Sequence, residues 1–368
     1  MITRLLRALI WLASIAAAVA FAVVVARAFD HPAPASPLEG ALLDGAQRLI
    51  QHRPLYADPL TGASPTLMPG FPVVLSVLAG PLGVQLWIPR VLTVVATVLV
   101  AVVVLVIVRA ETLSWTFAAA GFGSALAGCG LLAGAPDLAR PEMLMLLLAL
   151  AGFAVVRFTM GPLGAVLAAM LLTAACVVHL AGVWFLAAAL LYIAIEDHPR
   201  LFVTAFALAL TCGGGYVALS SLFGPWFNFV AWDLPLHSLR FDPTLLLQFV
   251  GAQLLGQPGV LVLATVLSFA LPAPPWRGNR GLWVFMGFAM LGAGLLATQG
   301  ASADPGYFLP GVVVMALLGP VSMERITRHL STWPGSTRNE GHGVALVALA
   351  LQFIVFSTAV PAALASLR

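Results

Sequence analysis

Charged residues are scarce in this sequence. Only 8% of its 368 residues are charged, and all 17 basic residues are arginine, since lysine is absent. A soluble domain usually carries about 25% charged residues. Together with 61% hydrophobic residues and a mean hydropathy of +1.03, this scarcity predicts a polytopic membrane protein. The arginines are scattered singly or in pairs, which excludes a nucleic-acid-binding patch.

Cysteine is also rare. The three cysteines, Cys129, Cys176 and Cys212, all lie within apolar runs. None has a partner at the spacing of a metal site, and the set does not form a disulfide framework. We therefore interpret them as small apolar packing residues and predict no metal site from them.

Apolar runs occupy most of the chain. A spanning helix needs about 20 apolar residues, and eleven runs approach or exceed that length. They are residues 5–28, 84–108, 113–133, 142–158, 162–178, 180–195, 201–223, 258–272, 281–299, 306–322 and 343–366. We expect an all-α fold of about eleven transmembrane helices. It would form a single transmembrane domain over 1–368, with no separate soluble domain.

The distribution of charge predicts an orientation. With the N-terminus in the cytoplasm, ten arginines fall on cytoplasmic ends and seven on the opposite side, in agreement with the positive-inside rule. Nine of the 14 acidic residues then fall on the outer side. The two long outer loops would be 29–83 and 224–257. We expect an outer face lined with acidic residues.

The first outer loop contains the stretch "ASPLEGALLD", which has the features of a helix start. Ser36 is a good N-cap, Pro37 suits the first helical position, and Glu39 completes a capping box. Apolar residues then recur at helical spacing, which predicts an amphipathic helix of about 15 residues at the membrane surface. Glu39 would lie at the edge of the apolar stripe, whereas Asp44 would face water and pair with Arg48.

The rest of this loop carries a recognisable pattern. It continues with "LY", "DP", a Pro-rich apolar stretch ending in Gly83, and Arg90 at the start of the second span. Together with Glu39-Gly40, this order resembles the first module of polytopic GT-C glycosyltransferases, which include protein mannosyltransferases and aminoarabinose transferases. The closest resemblance is to bacterial relatives whose pattern runs roughly "EG-A-L-G-LY-DP-P-P-G-R".

Two further elements resemble the same superfamily. In "PDLARPEMLMLLLAL", Asp137, Arg140 and Glu142 are similar to a "D-A-R-D-L" element, with Glu in place of the usual Asp. In "ADPGYFLPGVVVMALL", Asp304 and Tyr307 resemble an "N-Y-L-P" element that lacks its Asn. The resemblance covers residues 5–150 well and 300–320 loosely.

The resemblance implies an inverting membrane glycosyltransferase. Such an enzyme moves a sugar from a polyprenyl-phosphate donor to a glycan, lipid or protein acceptor of the cell envelope, on the outer face. It implies a bacterial inner (cytoplasmic) membrane location, an active site facing the periplasm or exterior, and contact with membrane lipids but not nucleic acid. The alternative that a divalent cation bridges Asp30, Glu39 and phosphate oxygens stays open, although no spacing of ligand residues predicts a metal site.

The chemistry requires a base for the acceptor hydroxyl and positive charge for the departing phosphate. Glu39 is the first candidate base, because a position beside the apolar stripe would desolvate its carboxylate, which suits a general base. Asp30 is the second, since the superfamily often keeps a catalytic Asp directly after its first span. Arg140 would bind the donor phosphate. Each also has a structural interpretation: a capping box for Glu39, a helix end for Asp30, and an ion pair for Arg140.

Other polar residues on the predicted outer side complete the candidate set for binding the donor or the acceptor. They are Tyr56, Asp137, Glu142, His179, His237, Arg240, Asp304 and Tyr307.

Two alternatives to an active transferase stay open. A lipid or sugar transporter or flippase would carry ionisable residues near the bilayer midplane and often inverted repeats, and neither is visible in the sequence. An inactive scaffold derived from the GT-C superfamily is the other alternative.

Overall fold

The structure is a computed structural model of the chain. It describes residues 2–29, 34, 36–58, 60, 68–132, 139–237, 242–248, 251, 259–269, 281–298, 309–331 and 338–365. Within these ranges all regular structure is helical. The helices are α1 Ile2–Phe29, α2 Pro37–Ile50, α3 Gly70–Leu82, α4 Trp87–Thr112, α5 Trp115–Leu132, α6 Pro141–Phe158, α7 Gly161–Val178, α8 Gly182–Glu196, α9 His198–Phe223, α10 Trp226–Asn228, a π-helix Phe229–Asp233, α11 Leu234–His237, α12 Pro243–Gln248, α13 Gly259–Phe269, α14 Gly281–Thr298, α15 Leu309–Leu330 and α16 Arg338–Ala365.

The predicted fold class is confirmed. Among the residues that the structure describes, each of the eleven predicted spans overlaps one of these helices. In the described part of the chain, six helices are long and apolar enough to cross a membrane: α1, α4, α6, α7, α9 and α15. Shorter apolar helices accompany them, including α3, α8 and α13. The protein is therefore a multi-pass, all-α membrane protein.

Helix α15 is the central element of the bundle. It is buried along nearly its whole length and packs against α4, α5, α13, α14 and α16. Helix α9, in contrast, exposes most of its apolar side chains, as expected for a helix facing lipid. Close approach fixes the position of α3, because a Cβ atom at Gly70 would lie 2.6 Å from the carbonyl oxygen of Val177 at the end of α7.

Helix α4 connects the two ends of the bundle. Arg90 lies in its first turn and Glu111 in its last, so the two residues are about 32 Å apart along the helix axis. We call the end formed by α2, the starts of α4 and α6 and the turn after α7 the Glu39 face. The opposite end, formed by the ends of α4 and α6 and the start of α14, is the Glu111 face.

The amphipathic helix of the first loop has the predicted extent. Helix α2 begins after Ser36, whose hydroxyl accepts a hydrogen bond from the Glu39 backbone N–H at 3.3 Å. Asp44 and Arg48 form the expected i,i+4 ion pair at 2.7 Å, and Asp44 faces water. The position of Glu39 differs from the prediction. It lies on the buried face of α2 with Leu42 and Ala46 rather than at the edge of the apolar stripe, because it forms an ion pair with a residue at the start of α4.

Candidate functional site

The centre of the Glu39 face is a buried ion pair. Arg90 donates from Nε to Glu39 Oε1 at 2.7 Å and from a terminal nitrogen to Oε2 at 3.0 Å. Glu39 is 0% exposed and Arg90 is 1% exposed. A two-point pair of this kind fixes both side chains, because the planar guanidinium matches the carboxylate geometry.

Arg90 also connects the pair to the first span. Its other terminal nitrogen donates to the carbonyl oxygen of Ala28 at 3.1 Å, near the end of α1. One guanidinium therefore joins α1, α2 and α4. Arg90 is part of the resemblance pattern but is not among the candidate site residues of the sequence analysis. The sequence feature that could have identified it is its position at the start of an apolar span, where an unpaired charge is costly.

The backbone of Arg140 is hydrogen-bonded to α4 close to this pair. It is the N-cap of α6, is 4% exposed, and is held by Thr93, one turn along α4 from Arg90. The Thr93 hydroxyl accepts from the Arg140 N–H at 3.0 Å and donates to its carbonyl oxygen at 3.3 Å. Arg90 and Arg140 therefore belong to the same face, joined by α4.

Glu142 and His179 occupy the same face. Glu142 is the second residue of α6 and is 4% exposed, while His179 lies in the turn between α7 and α8. The backbone N–H of Ala181 donates to His179 Nδ1 at 3.2 Å, which leaves the proton of a neutral ring on Nε2. Burial lowers the pKa of His179, and the Glu142 charge raises it to a smaller extent.

Tyr56 is enclosed by aromatic rings. Phe223 packs edge-on against it at 5.9 Å and Phe227 at 5.7 Å, and only 2% of the residue is exposed. Burial raises the pKa of its hydroxyl. The ring joins the first loop to the segment after α9. The ring of Tyr56 is therefore enclosed by protein rather than exposed to a sugar.

His237 does not join this group. His237 is exposed on α11, where its Nδ1 lies 2.7 Å from the Asp233 carbonyl oxygen. The other predicted residues lie outside the described part of the chain: Asp30, Asp137, Arg240, Asp304 and Tyr307.

The described residues contain no group of three or more His, Cys, Asp or Glu side chains that could hold a metal ion. Both carboxylate oxygens of Glu39 accept hydrogen bonds from Arg90, so a cation at Glu39 would have to compete with that guanidinium.

The Glu111 face holds a second glutamate–arginine pair, which sequence reasoning missed. Arg157 Nε donates to Glu111 Oε1 at 2.8 Å, and the fully buried Trp283 donates from its indole nitrogen to the same oxygen at 3.0 Å. Arg157 also lies over the ring of Phe158. This pair joins the ends of α4 and α6 to α14.

An apolar groove of about 450 Å³ runs between α1, α5 and α16. On α1 it extends from Leu9 to Val24, one turn before Ala28, whose carbonyl oxygen binds Arg90. Small residues such as Ala16 and Ala127 form its walls. The groove is therefore lined by apolar side chains and ends close to the Glu39 face.

No protein-family model matches the sequence, and no curated protein matches it significantly. The structure is similar to that of ArnT from Cupriavidus metallidurans, a GT-C glycosyltransferase in a crystal structure bound to undecaprenyl phosphate. The TM-score is 0.63 at 14% sequence identity, over 96% of this chain and 76% of the ArnT chain. At this identity the likeness shows the fold alone, and the expected GT-C-like architecture is confirmed at that level.

Proposed function

We propose that this protein is a membrane glycosyltransferase that moves a sugar from a polyprenyl-phosphate donor to a hydroxyl group of a cell-envelope acceptor. The observation that carries the proposal is the convergence of Arg90, Arg140, Glu39 and Glu142 on one end of a GT-C-like helix bundle. Buried charges at one face of an apolar bundle are costly and mark function in membrane proteins.

Arg140 is the residue we propose for the donor phosphate. In the transfer, the bond between the sugar C1 atom and the phosphate oxygen breaks, and the phosphate leaves with the electron pair. Arg140 stands at the N-terminus of α6, where the helix dipole adds to its positive charge. Both effects stabilise the negative charge that grows on the phosphate.

Glu39 acts, in this proposal, by positioning Arg90. Its two oxygens are occupied by the guanidinium, so the carboxylate is poorly placed to take a proton from an acceptor. The ion pair instead fixes the start of α4 against the end of α1. It thereby positions Thr93, which hydrogen-bonds to the backbone of Arg140. Asp30 stays a predicted site residue on the strength of the sequence resemblance.

The apolar groove is the site that we propose for the start of the polyprenyl chain. It consists almost entirely of aliphatic and aromatic side chains and ends one turn from the Arg90-bound carbonyl of Ala28. A phosphate near Arg140 and a hydrocarbon chain along α1 would then share one side of the bundle. ArnT, the structural neighbour, binds undecaprenyl phosphate.

We further propose that the Glu39 face is the outer one, in the inner membrane of a bacterium. The arginine bias of the sequence favours a cytoplasmic N-terminus for α1, and α1 would then end on the outer side. A lipid-linked donor on that side would meet acceptors of the cell envelope directly.

The test is sugar transfer by the purified protein in lipid nanodiscs. The substrates are polyprenyl-phosphate sugars with radiolabelled hexose or pentose, and the acceptor is an extract of envelope lipids and glycans. We expect label to move to the acceptor, and Arg140→Gln to reduce the rate by about 100-fold or more. Arg109→Gln, at the Glu111 end of α4, is the matched control and should keep the full rate.

Two results would contradict the proposal. The first is no transfer from any of these donors by a wild-type protein that is folded. The second is equal transfer by Arg140→Gln and Arg109→Gln.

A further inference from the structure

Glu142 is a buried carboxylate whose hydrogen bonding is incomplete. Its Oε2 atom is inaccessible and accepts no hydrogen bond from any residue that the structure describes. A buried acceptor left in this state is costly, because it has lost its hydrogen bonds to water and gained none from the protein. Such groups are rare in folded proteins and call for a physical reason. A ligand that brings a hydrogen-bond donor would satisfy the atom.

The surroundings of Glu142 favour a neutral donor over a cation. The N-terminus of α6 already contributes partial positive charge to the carboxylate, which is the second residue of that helix. His179 lies close enough to interact with the Glu142 charge, and burial lowers the pKa of its imidazole. A hydroxyl group can donate to the carboxylate without adding charge to this buried place.

We propose that Glu142 is the general base that takes the proton of the acceptor hydroxyl in the transfer reaction. The inference rests on the proposed function. The acceptor O–H donates to Glu142 Oε2 and its proton passes to the carboxylate as the oxygen bonds to the sugar C1 atom. The C1–O bond to the phosphate breaks, and the polyprenyl phosphate leaves with that electron pair beside Arg140.

The contrast with Glu39 supports this assignment. Glu39 is held by two hydrogen bonds from Arg90, which occupy both of its carboxylate oxygens. The Oε2 atom of Glu142 accepts no hydrogen bond from the described residues, and Glu142 is two residues from Arg140 on the same face. A base must reach the proton that it removes, and of these two glutamates only Glu142 has a vacant acceptor oxygen.

The experiment measures transfer and donor binding for the wild type, Glu142→Gln and Glu142→Ala in nanodiscs. We expect Glu142→Gln to lower kcat by about 10²–10⁴-fold, because a positioned base contributes that much, while donor affinity changes little. Sodium azide should restore donor cleavage in Glu142→Ala and yield a glycosyl azide, since an anionic nucleophile needs no base. The wild type should gain nothing from azide.

Glu111→Gln is the matched control, because Glu111 is a buried glutamate at the other end of the same helix bundle, and it should keep the wild-type kcat. Transfer by Glu142→Gln within about threefold of wild type would overturn the inference. So would a folded Glu142→Ala that azide does not rescue. Failure of the wild type to transfer from any donor would instead overturn the proposed function itself. If Glu142→Gln does not fold, Glu142→Asp is the second variant. We expect it to lower kcat without changing donor affinity. A kcat equal to that of the wild type would overturn the inference.

Discussion

The two ends of α4 carry the same kind of ion pair in different surroundings. At the Glu39 face, Arg90 and Glu39 are both buried, share two hydrogen bonds and are anchored to α1. At the Glu111 face, Arg157 keeps 19% of its side chain exposed, and an indole shares the carboxylate. Breaking the second pair should therefore cost less stability than breaking the first, because water can replace the lost contact of Arg157.

The difference extends to what surrounds each pair. Beside the first pair lie Arg140, which caps α6, and Glu142, whose Oε2 lacks a donor among the described residues. Beside the second pair lie Trp283, which donates to Glu111 Oε1, and the ring of Phe158 under Arg157. We infer that the Glu111 face holds helices together, whereas the Glu39 face also keeps polar groups available for a substrate.

The largest expected effect comes from separating the first pair. Glu39→Gln leaves the Arg90 charge buried without its carboxylate, and breaking a buried pair in this way costs about 3–5 kcal/mol. We expect a marked fall in the melting temperature of the detergent-solubilised protein and loss of sugar transfer. The exchange of the two residues, Glu39→Arg with Arg90→Glu, should recover part of the stability. Equal melting of Glu39→Gln and wild type would show that the pair contributes little.

The next effect tests whether the groove of α1 serves the Glu39 face. Ala16→Trp would fill part of the groove without entering the polar site. We expect KM for a long-chain polyprenyl-phosphate sugar to rise about tenfold, a loss of about 1.4 kcal/mol in binding, while kcat stays the same. Ala22→Trp, on the exposed side of α1, is the control. If both variants change KM equally, the polyprenyl chain does not bind in the groove.

A smaller effect is expected when the second pair is broken. Glu111→Gln keeps an oxygen for the Trp283 indole, and Arg157 can turn toward water, so the cost should be about 1–3 kcal/mol. Thermal melting should show a modest shift, and the rate of sugar transfer per folded molecule should be unchanged. Loss of transfer in a folded Glu111→Gln protein would contradict the division between the two faces.

The smallest effect concerns the water-facing side of α2. Asp44→Asn removes an exposed i,i+4 pair with Arg48, which stabilises a helix by about 0.2–0.5 kcal/mol. We expect no measurable change in transfer and a barely detectable change in melting. Because Asp44 and Glu39 lie on opposite sides of the same short helix, this variant is the direct counterpart to Glu39→Gln.

Local features were predictable from the sequence because their causes lie within a few residues. The Ser36 cap, the length of α2 and the Asp44–Arg48 pair follow from helical spacing alone. The spans were predictable because bilayer thickness sets the length of an apolar run. Each of these features could be derived without knowing how the helices pack.

The composition of the site was less predictable because its contacts are distant in sequence. Glu39 and Arg90 are 51 positions apart in the sequence. Because they form an ion pair, Glu39 lies on the buried face of α2 rather than at the edge of its apolar stripe. Tyr56 meets Phe223 and Phe227, which close over its ring. Helical periodicity indicates which face of a helix a residue occupies, but it does not identify the partner on another helix.

The most direct test of the central claim is transfer across a defined membrane side. Proteoliposomes would carry the protein in one known orientation, with a labelled polyprenyl-phosphate sugar and an envelope acceptor extract supplied on one side at a time. We predict transfer only when both are present at the Glu39 face, and its loss in Arg140→Gln. Transfer supported from the Glu111 face alone, or movement of the intact lipid-linked sugar across the bilayer without transfer, would contradict the account.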